Sequence, residues 1–219
     1  MIPILLWRCP QCHKNDALIE EKKLLKPWLI KCTNCHTIWK AKRILGEDFQ
    51  LTVIACPTDK SKEGIVQPLA EWYANLKSTL ELEPIDDPAI SLQESEQLYL
   101  SSKQVELMAI ANDPLFFPDY IESTDGEPPV AEVVGKGQTF LTNQRFIWVD
   151  NEGNQQDFPL NRVNSTYTIF NMGIVLMYET SLYVFRYEEE SLLMWVTYFA
   201  LVAPFVKEAT GHTITTSNY

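Results

Sequence analysis

The sequence has no apolar run of the ~18–20 residues that a helix needs to cross a bilayer. Its longest apolar stretch, 192–206, covers fifteen residues and contains Pro204. A secretory leader is missing too. The apolar opening Met1-Ile-Pro-Ile-Leu-Leu-Trp7 is short, has no basic region before it, and runs straight into Arg8 and Cys9. These absences predict a soluble, cytoplasmic chain. Histidine is scarce, with three in 219 residues. No H-E-x-x-H, G-x-S-x-G or phosphate-binding loop is present, and no pair of carboxylates is singled out by spacing. The expectation is a protein that is not an enzyme and has no small-molecule substrate. No internal repeat is evident.

Basic charge is also in short supply, and what there is lies at one end. The formal net charge is −11, which argues against general coating of nucleic acid by the whole chain. Residues 1–46 hold nine Lys/Arg against three Asp/Glu, a net of +6. Residues 47–219 hold nine against twenty-six, a net of −17. Such asymmetry suggests two modules. With 46% apolar and 21% charged residues, the chain can fold around a sizeable core.

Four of the five cysteines form the pattern C-x2-C-x19-C-x2-C: Cys9, Cys12, Cys32 and Cys35. A two-residue gap closes a tight turn that aims two sulfurs at one point. Two such turns supply a tetrahedral thiolate set for Zn²⁺ at ~2.3 Å, with no position left for water. The site therefore predicts one structural zinc. Disulfides, the other reading, are disfavoured in a reducing compartment. His13 and His36 each follow a second knuckle cysteine and read as surface residues beside the metal, or as substitute ligands. Cys56 reads as a small buried residue at a strand end. Ala17-Leu-Ile19 and Trp28-Leu-Ile30 read as a hairpin covering the metal. On these residues, roughly 5–45, the chain resembles a zinc ribbon.

Eight cations, Lys14, Lys22, Lys23, Lys26, Lys31, Lys40, Lys42 and Arg43, are interleaved there with Trp28 and Trp39. Basic and aromatic residues together suit phosphate contact and base stacking. Lys22, Lys23, Lys26, Trp28, Lys40, Lys42 and Arg43 are accordingly the candidate nucleic-acid contacts, against a reading in which they are an ordinary solvated hairpin.

Strand-like runs continue at 37–44 and 49–56. Residues 57–64 read as a linker, and 68–82 as a helix with Leu69, Trp72, Tyr73, Leu76 and Leu80 on one face. Ser91-Leu-Gln-Glu94 has the form of a helix-start capping box, although the run after it is polar. Segments 98–101 and 105–111 read as strands. The stretch 112–129, with four prolines, is long for a loop and carries Phe116, Phe117 and Tyr120 as candidate partner contacts. Strands follow at 130–134, 139–149, 157–160, 163–170, 173–178 and 182–187. An apolar helix follows over 192–207, and the tail 209–219, with His212, reads as frayed.

The segment Phe140-Leu-Thr-Asn-Gln-Arg-Phe-Ile-Trp148 is similar to the L-T-N-x-R signature of GRAM and bacterial PH-like domains. Phe158-Pro-Leu160, Tyr183-Val-Phe185 and a C-terminal helix with Trp195 follow in the family's order. The resemblance covers about 91–208, lacks the family's usual opening glycine, and carries 112–129 as an extra insertion. It implies a seven-stranded half-barrel capped by one helix that binds protein segments, phosphoinositides or membranes. Its core would hold Leu141, Phe146, Trp148, Leu160, Val184, Phe185 and Trp195. Arg145 is one of that domain's few cations for an anionic ligand, with a plainer reading in which it bonds a neighbouring turn of the barrel.

The expected fold is thus α+β, mainly β: a zinc ribbon at 1–56, linker and helix at 57–90, a PH-like domain at 91–208 and a tail. Anionic lipid needs a basic mouth, and 91–208 offers few cations, so membrane binding is disfavoured. The leading expectation is a scaffold or adaptor that binds another protein. Nucleic-acid binding through 1–46 and phospholipid binding through the second domain are the alternatives.

Overall fold

A computed structural model describes residues 6–21, 27–44, 49–110, 131–169, 173–188 and 190–217. The chain divides into two compact units, Met1–Glu81 and Leu82–Tyr219. It is mainly β, as expected.

In the first unit, five described strands form one antiparallel sheet in chain order. They are β1 (Leu18–Glu21), β2 (Trp28–Cys32), β3 (Ile38–Arg43), β4 (Phe49–Ala55) and β5 (Val66–Pro68). Successive side chains alternate faces along a strand. In β3, Trp39 and Ala41 are therefore buried while Lys40 and Lys42 are exposed. Cross-strand partners share a face: Ile30 and Val53 flank Trp39, and Leu51 lies opposite Ala41. Helix α1 (Leu69–Ser78) covers this inner face with Leu69, Trp72 and Leu76, at i, i+3 and i+7. The Trp72 ring meets Trp39 edge-on at 5.9 Å.

Two expectations are corrected here. Residues 57–81 are part of the first unit, so 57–64 is not a linker. Asp59 Oδ1 accepts from the Ser61 amide and starts a short 3-10 turn at Lys60–Lys62, and β5 then pairs with β4. The helix also stops at Ser78, short of 82. Ser78 and Thr79 hydroxyls donate to the Asn75 carbonyl at 2.9 and 3.0 Å, competing with the helical ladder. Leu80 is buried just beyond the helix.

The second unit contains the expected half-barrel and its C-terminal helix. The strands are β6 (Leu98–Ser101), β7 (Val105–Ile110), β8 (Ala131–Thr142), β9 (Arg145–Asp150), β10 (Gln155–Pro159), β11 (Val163–Ile169), β12 (Gly173–Tyr178) and β13 (Ser181–Tyr187). β6 and β7 pair with successive stretches of β8, so together they act as one bent strand. At the bend, Ser102 Oγ accepts from the Thr139 amide at 2.8 Å and Thr139 Oγ1 at 2.9 Å. The order is β10-β9-β8-β7-β13-β12-β11, so the first strand of the meander pairs with the last and the sheet curls.

Gly135-Lys-Gly137 does not separate two strands; β8 runs through it unbroken. A Cβ on Gly137 would stand 2.0 Å from the Val149 carbonyl oxygen, so the strand crossing there admits only glycine. Ser91–Glu94 starts no helix. It lies in the segment that leads to β6.

Helix α2 (Leu192–Thr210) begins at Ser191, whose Oγ accepts from the Met194 amide. It ends at Gly211 in the left-handed region, φ 76°. By length and composition α2 is apolar enough to cross a membrane. In this fold Trp195, Phe199, Val202 and Val206 are buried, and the helix packs on β6, β11 and β12. Phe146 centres that core. Its ring lies 4.7 Å from Phe185, 5.3 Å from Phe199 and 5.9 Å from Trp195.

Val184 does not share this core, contrary to expectation. Adjacent residues of a strand face opposite ways, and Val184 packs with Val175 and Leu182 on the other side of the sheet. That second face is apolar around these three residues, with Met108, Tyr167 and Met177 packed against them. The tail is not frayed over its described length either. Thr215–Ser217 form β14, parallel to β11; Ile214 is buried; and a ring nitrogen of His212 bonds the Val163 carbonyl at 2.7 Å.

Candidate metal centre and binding surfaces

Cys9, Cys12, Cys32 and Cys35 come together at one end of the first unit, all four sulfurs within 4.8 Å of one another. The two knuckles interlock: Cys9 Sγ lies 3.7 Å from Cys35 Sγ, and Cys12 Sγ 3.7 Å from Cys32 Sγ. None of the cysteines is disulfide-bonded. A tetrahedron with metal–sulfur bonds of ~2.3 Å has sulfur–sulfur edges of about 3.8 Å. The spacing fits a tetrathiolate ion site with every position filled by protein.

The backbone prepares each turn in the same way. The His13 amide donates to the Cys9 carbonyl at 2.9 Å, and the His36 amide to the Cys32 carbonyl at 3.1 Å. Both histidines sit in the left-handed region, φ 58° and 59°, and are exposed. They are not among the clustered ligand atoms. Amides of Gln11 and Cys35 point at Cys9 Sγ and Cys32 Sγ, each at 3.4 Å, and Asn34 Nδ2 donates to Cys12 Sγ at 3.4 Å. Such donors stabilise thiolate. Burial pushes Cys9 and Cys32 up. It opposes Cys12 as well, but there the Asn34 and backbone hydrogen bonds prevail and hold the thiol down to about 6. Cys56 is fully buried at the end of β4, where the Thr37 hydroxyl reaches it at 3.6 Å and Cys35 Sγ at 3.2 Å.

Among the described residues, the candidate nucleic-acid contacts are divided between the two faces of the sheet. Lys22, Lys23 and Lys26 lie outside the described residues. Lys40 and Lys42 are exposed on the outer face of the sheet. Trp39 is buried on the inner face, and Trp28, across from Ala41, shares that face and stacks edge-on with Phe49 at 5.0 Å. Arg43 is exposed opposite Phe49. The alternation of Trp39 with Lys40 and Lys42 has the period of a strand, so it sorts those two lysines and that ring to opposite sides, while Arg43 falls on the side of Trp28 and Phe49. The partner candidates Phe116, Phe117 and Tyr120 also lie outside the described residues.

In the second unit, Arg145 is buried. Its Nε and Nη2 donate to the two oxygens of Glu96 at 2.9 and 3.0 Å. Nη1 donates to Asp157 Oδ2 at 2.6 Å, and Nη2 also to the Ser91 carbonyl at 2.9 Å. Thr142 Oγ1 donates to Glu96 at 2.7 Å. Burial opposes the Glu96 carboxylate, yet the Arg145 guanidinium and its other donors hold it below the usual carboxylate range. Arg145 therefore ties the β8–β9 turn to the segment before β6, as the bonding expected of it requires. Glu96 and Asp157 were not foreseen as its partners; an arginine beside a turn calls for an anion once buried, but does not say where in the chain it comes from.

Other cations are paired as well. Lys136 bonds Glu106 at 3.0 Å and Glu188 at 3.4 Å, Arg186 bonds Glu106, and Arg162 bonds Glu179. A cavity of about 650 Å³, also unforeseen, opens between the β8–β9 turn, the end of β10 and the last turns of α2.

No family model matches the chain, and no curated protein does. Among solved structures it is similar to the Vps36 N-terminal PH domain, at 14% identity and a TM-score of 0.36. That likeness covers 56% of this chain and 87% of the other.

Proposed function

We propose that the chain is a non-catalytic adaptor: a zinc ribbon held by one structural Zn²⁺ on Cys9, Cys12, Cys32 and Cys35, joined to a GRAM- or PH-like domain that docks another protein. The observation that carries a protein partner over an anionic lipid is the pairing of the second unit's cations. Of Lys103, Lys136, Arg145, Arg162, Arg186 and Lys207, the middle four are engaged by carboxylates. A headgroup site needs free, clustered cations, and two separate lysines do not make one. The soft, all-sulfur donor set supports zinc over harder ions. Stacking on nucleic acid is disfavoured by the inward-facing Trp39.

The full-length, metal-loaded chain should be captured with a specific protein partner from its native host, identified by mass spectrometry and reconstituted from purified components. It should not sediment with phosphoinositide vesicles, nor shift an oligonucleotide at ~0.15 M salt. Submicromolar binding to either polyanion, with no reconstituted protein complex, overturns the reading.

A further inference from the structure

The cavity at the end of α2 has a chemistry that points to its occupant. Its wall includes Arg145, but every nitrogen of that guanidinium is already committed to Glu96, Asp157 or the Ser91 carbonyl. The cluster of buried Arg145, buried Glu96 and the more exposed Asp157 carries a net negative charge. Glu208 adds another. It lines the cavity, is exposed, and makes no ion pair among the described residues. The last carbonyls of α2 add the negative end of the helix dipole at the same place, against the one cation of that turn, Lys207, which does not line the cavity. The unit as a whole, residues 82–219, holds six Lys/Arg against twenty Asp/Glu.

Phe205 stands at the cavity 53% exposed. An aromatic face beside carboxylates is the setting in which a guanidinium or ammonium is held from two sides, by ring and by charge. Asn143 and Asn161 line the same wall. Asn143 already donates to the Ser95 carbonyl and accepts from the Gln97 amide, so it shapes the rim. The volume of about 650 Å³ lies within the range of sites that enclose a ligand group.

We propose that this groove takes an arginine or lysine side chain presented by an extended basic segment of a partner protein, with Phe205 against the cation and Glu208 and Asp157 supplying the charge. The assignment rests on the protein-docking reading above and specifies which face docks and the partner's charge. An anionic lipid headgroup would meet the opposite sign here.

The test uses the full-length, zinc-loaded chain and a labelled peptide of alternating arginine and serine, with a glutamate–serine peptide as control. Fluorescence polarisation should show binding of the arginine peptide alone, weakening as salt is raised. Glu208→Lys should weaken it at least tenfold and Phe205→Ala several-fold, both at exposed positions where the fold is not at stake. Amide shifts on titration should cluster at Asn143, Asn161 and Phe205–Thr210. Equal affinity in both variants, shifts elsewhere, or preference for the glutamate peptide overturns the groove assignment. A reconstituted partner complex that survives both substitutions also overturns it, while leaving the docking reading intact. Peptide binding that the variants abolish, without any reconstituted partner, keeps the groove and removes the adaptor reading.

Discussion

Arg145→Met should be among the most costly single changes in the second unit. The side chain of Glu96 is fully buried, and Arg145 is its only cationic partner among the described residues. Removing the guanidinium deletes two charge-assisted bonds to Glu96 and leaves that carboxylate with the Thr142 hydroxyl and the Gln93 amide, each at 2.7 Å. Stranding one member of a buried pair costs about 3–5 kcal/mol. Asp157, 36% exposed, can rehydrate and adds little. For a unit of this size the midpoint of thermal unfolding should fall by roughly 10–20 °C. Urea and thermal unfolding of the intact chain by circular dichroism would measure it. Acid provides an internal check. In the native protein the Glu96 pKa is depressed, so its contribution is present above the unfolded value of about 4.3 and is lost as pH falls through the folded one. In the variant, burial without a counter-charge raises the folded value above that of the unfolded chain, so the penalty grows with rising pH. The gap between the two proteins should therefore narrow as pH falls toward ~4 and close only below the depressed folded value. Adding Glu96→Gln to the variant removes the stranded charge and should recover at least about 1 kcal/mol at neutral pH. A loss below about 1 kcal/mol, or one that does not shrink on acidification, would refute the assignment of Glu96 as a charge held by Arg145.

Cys32→Ser should abolish stoichiometric zinc, measured by elemental analysis of protein never exposed to chelator, and unfold the first unit, because on the proposed reading metal binding would supply its folding energy; loss of the second unit's circular dichroism as well would refute independence of the two. His13→Gly and His36→Gly should leave zinc content unchanged and raise stability by up to about 1 kcal/mol, since glycine tolerates their left-handed backbone; loss of metal would make the histidine a ligand. Trp195→Ala should cost about 3–5 kcal/mol, as it empties a fully buried site against Phe146 and Tyr187 and frees the Glu190 carboxylate from its indole N–H; a near-neutral result would put Trp195 outside the core.

Much of this protein is written locally. A C-x-x-C turn brings two sulfurs together without help from the rest of the chain, so two such turns at the right separation already imply one four-sulfur centre. Hairpin strands are equally local: β8 and β9 follow from Thr139–Val149 with Asn143-Gln144 at the turn. The amphipathic Leu69, Trp72 and Leu76 also declare their helix. What the sequence alone could not decide depends on contacts between distant segments. Val66–Pro68 and Thr215–Ser217 have no strand pattern of their own; they are strands because β4 and β11 offer open edges to them. Leu182–Phe185 reads as one apolar run; alternation puts Val184 and Phe185 on opposite faces, and only the packing shows that both are buried, in different clusters. The partner of Arg145 lies forty-nine positions away in Glu96. Charge pairing across such a span follows from where β6 meets β8, and the groove beside it exists only once α2 has docked.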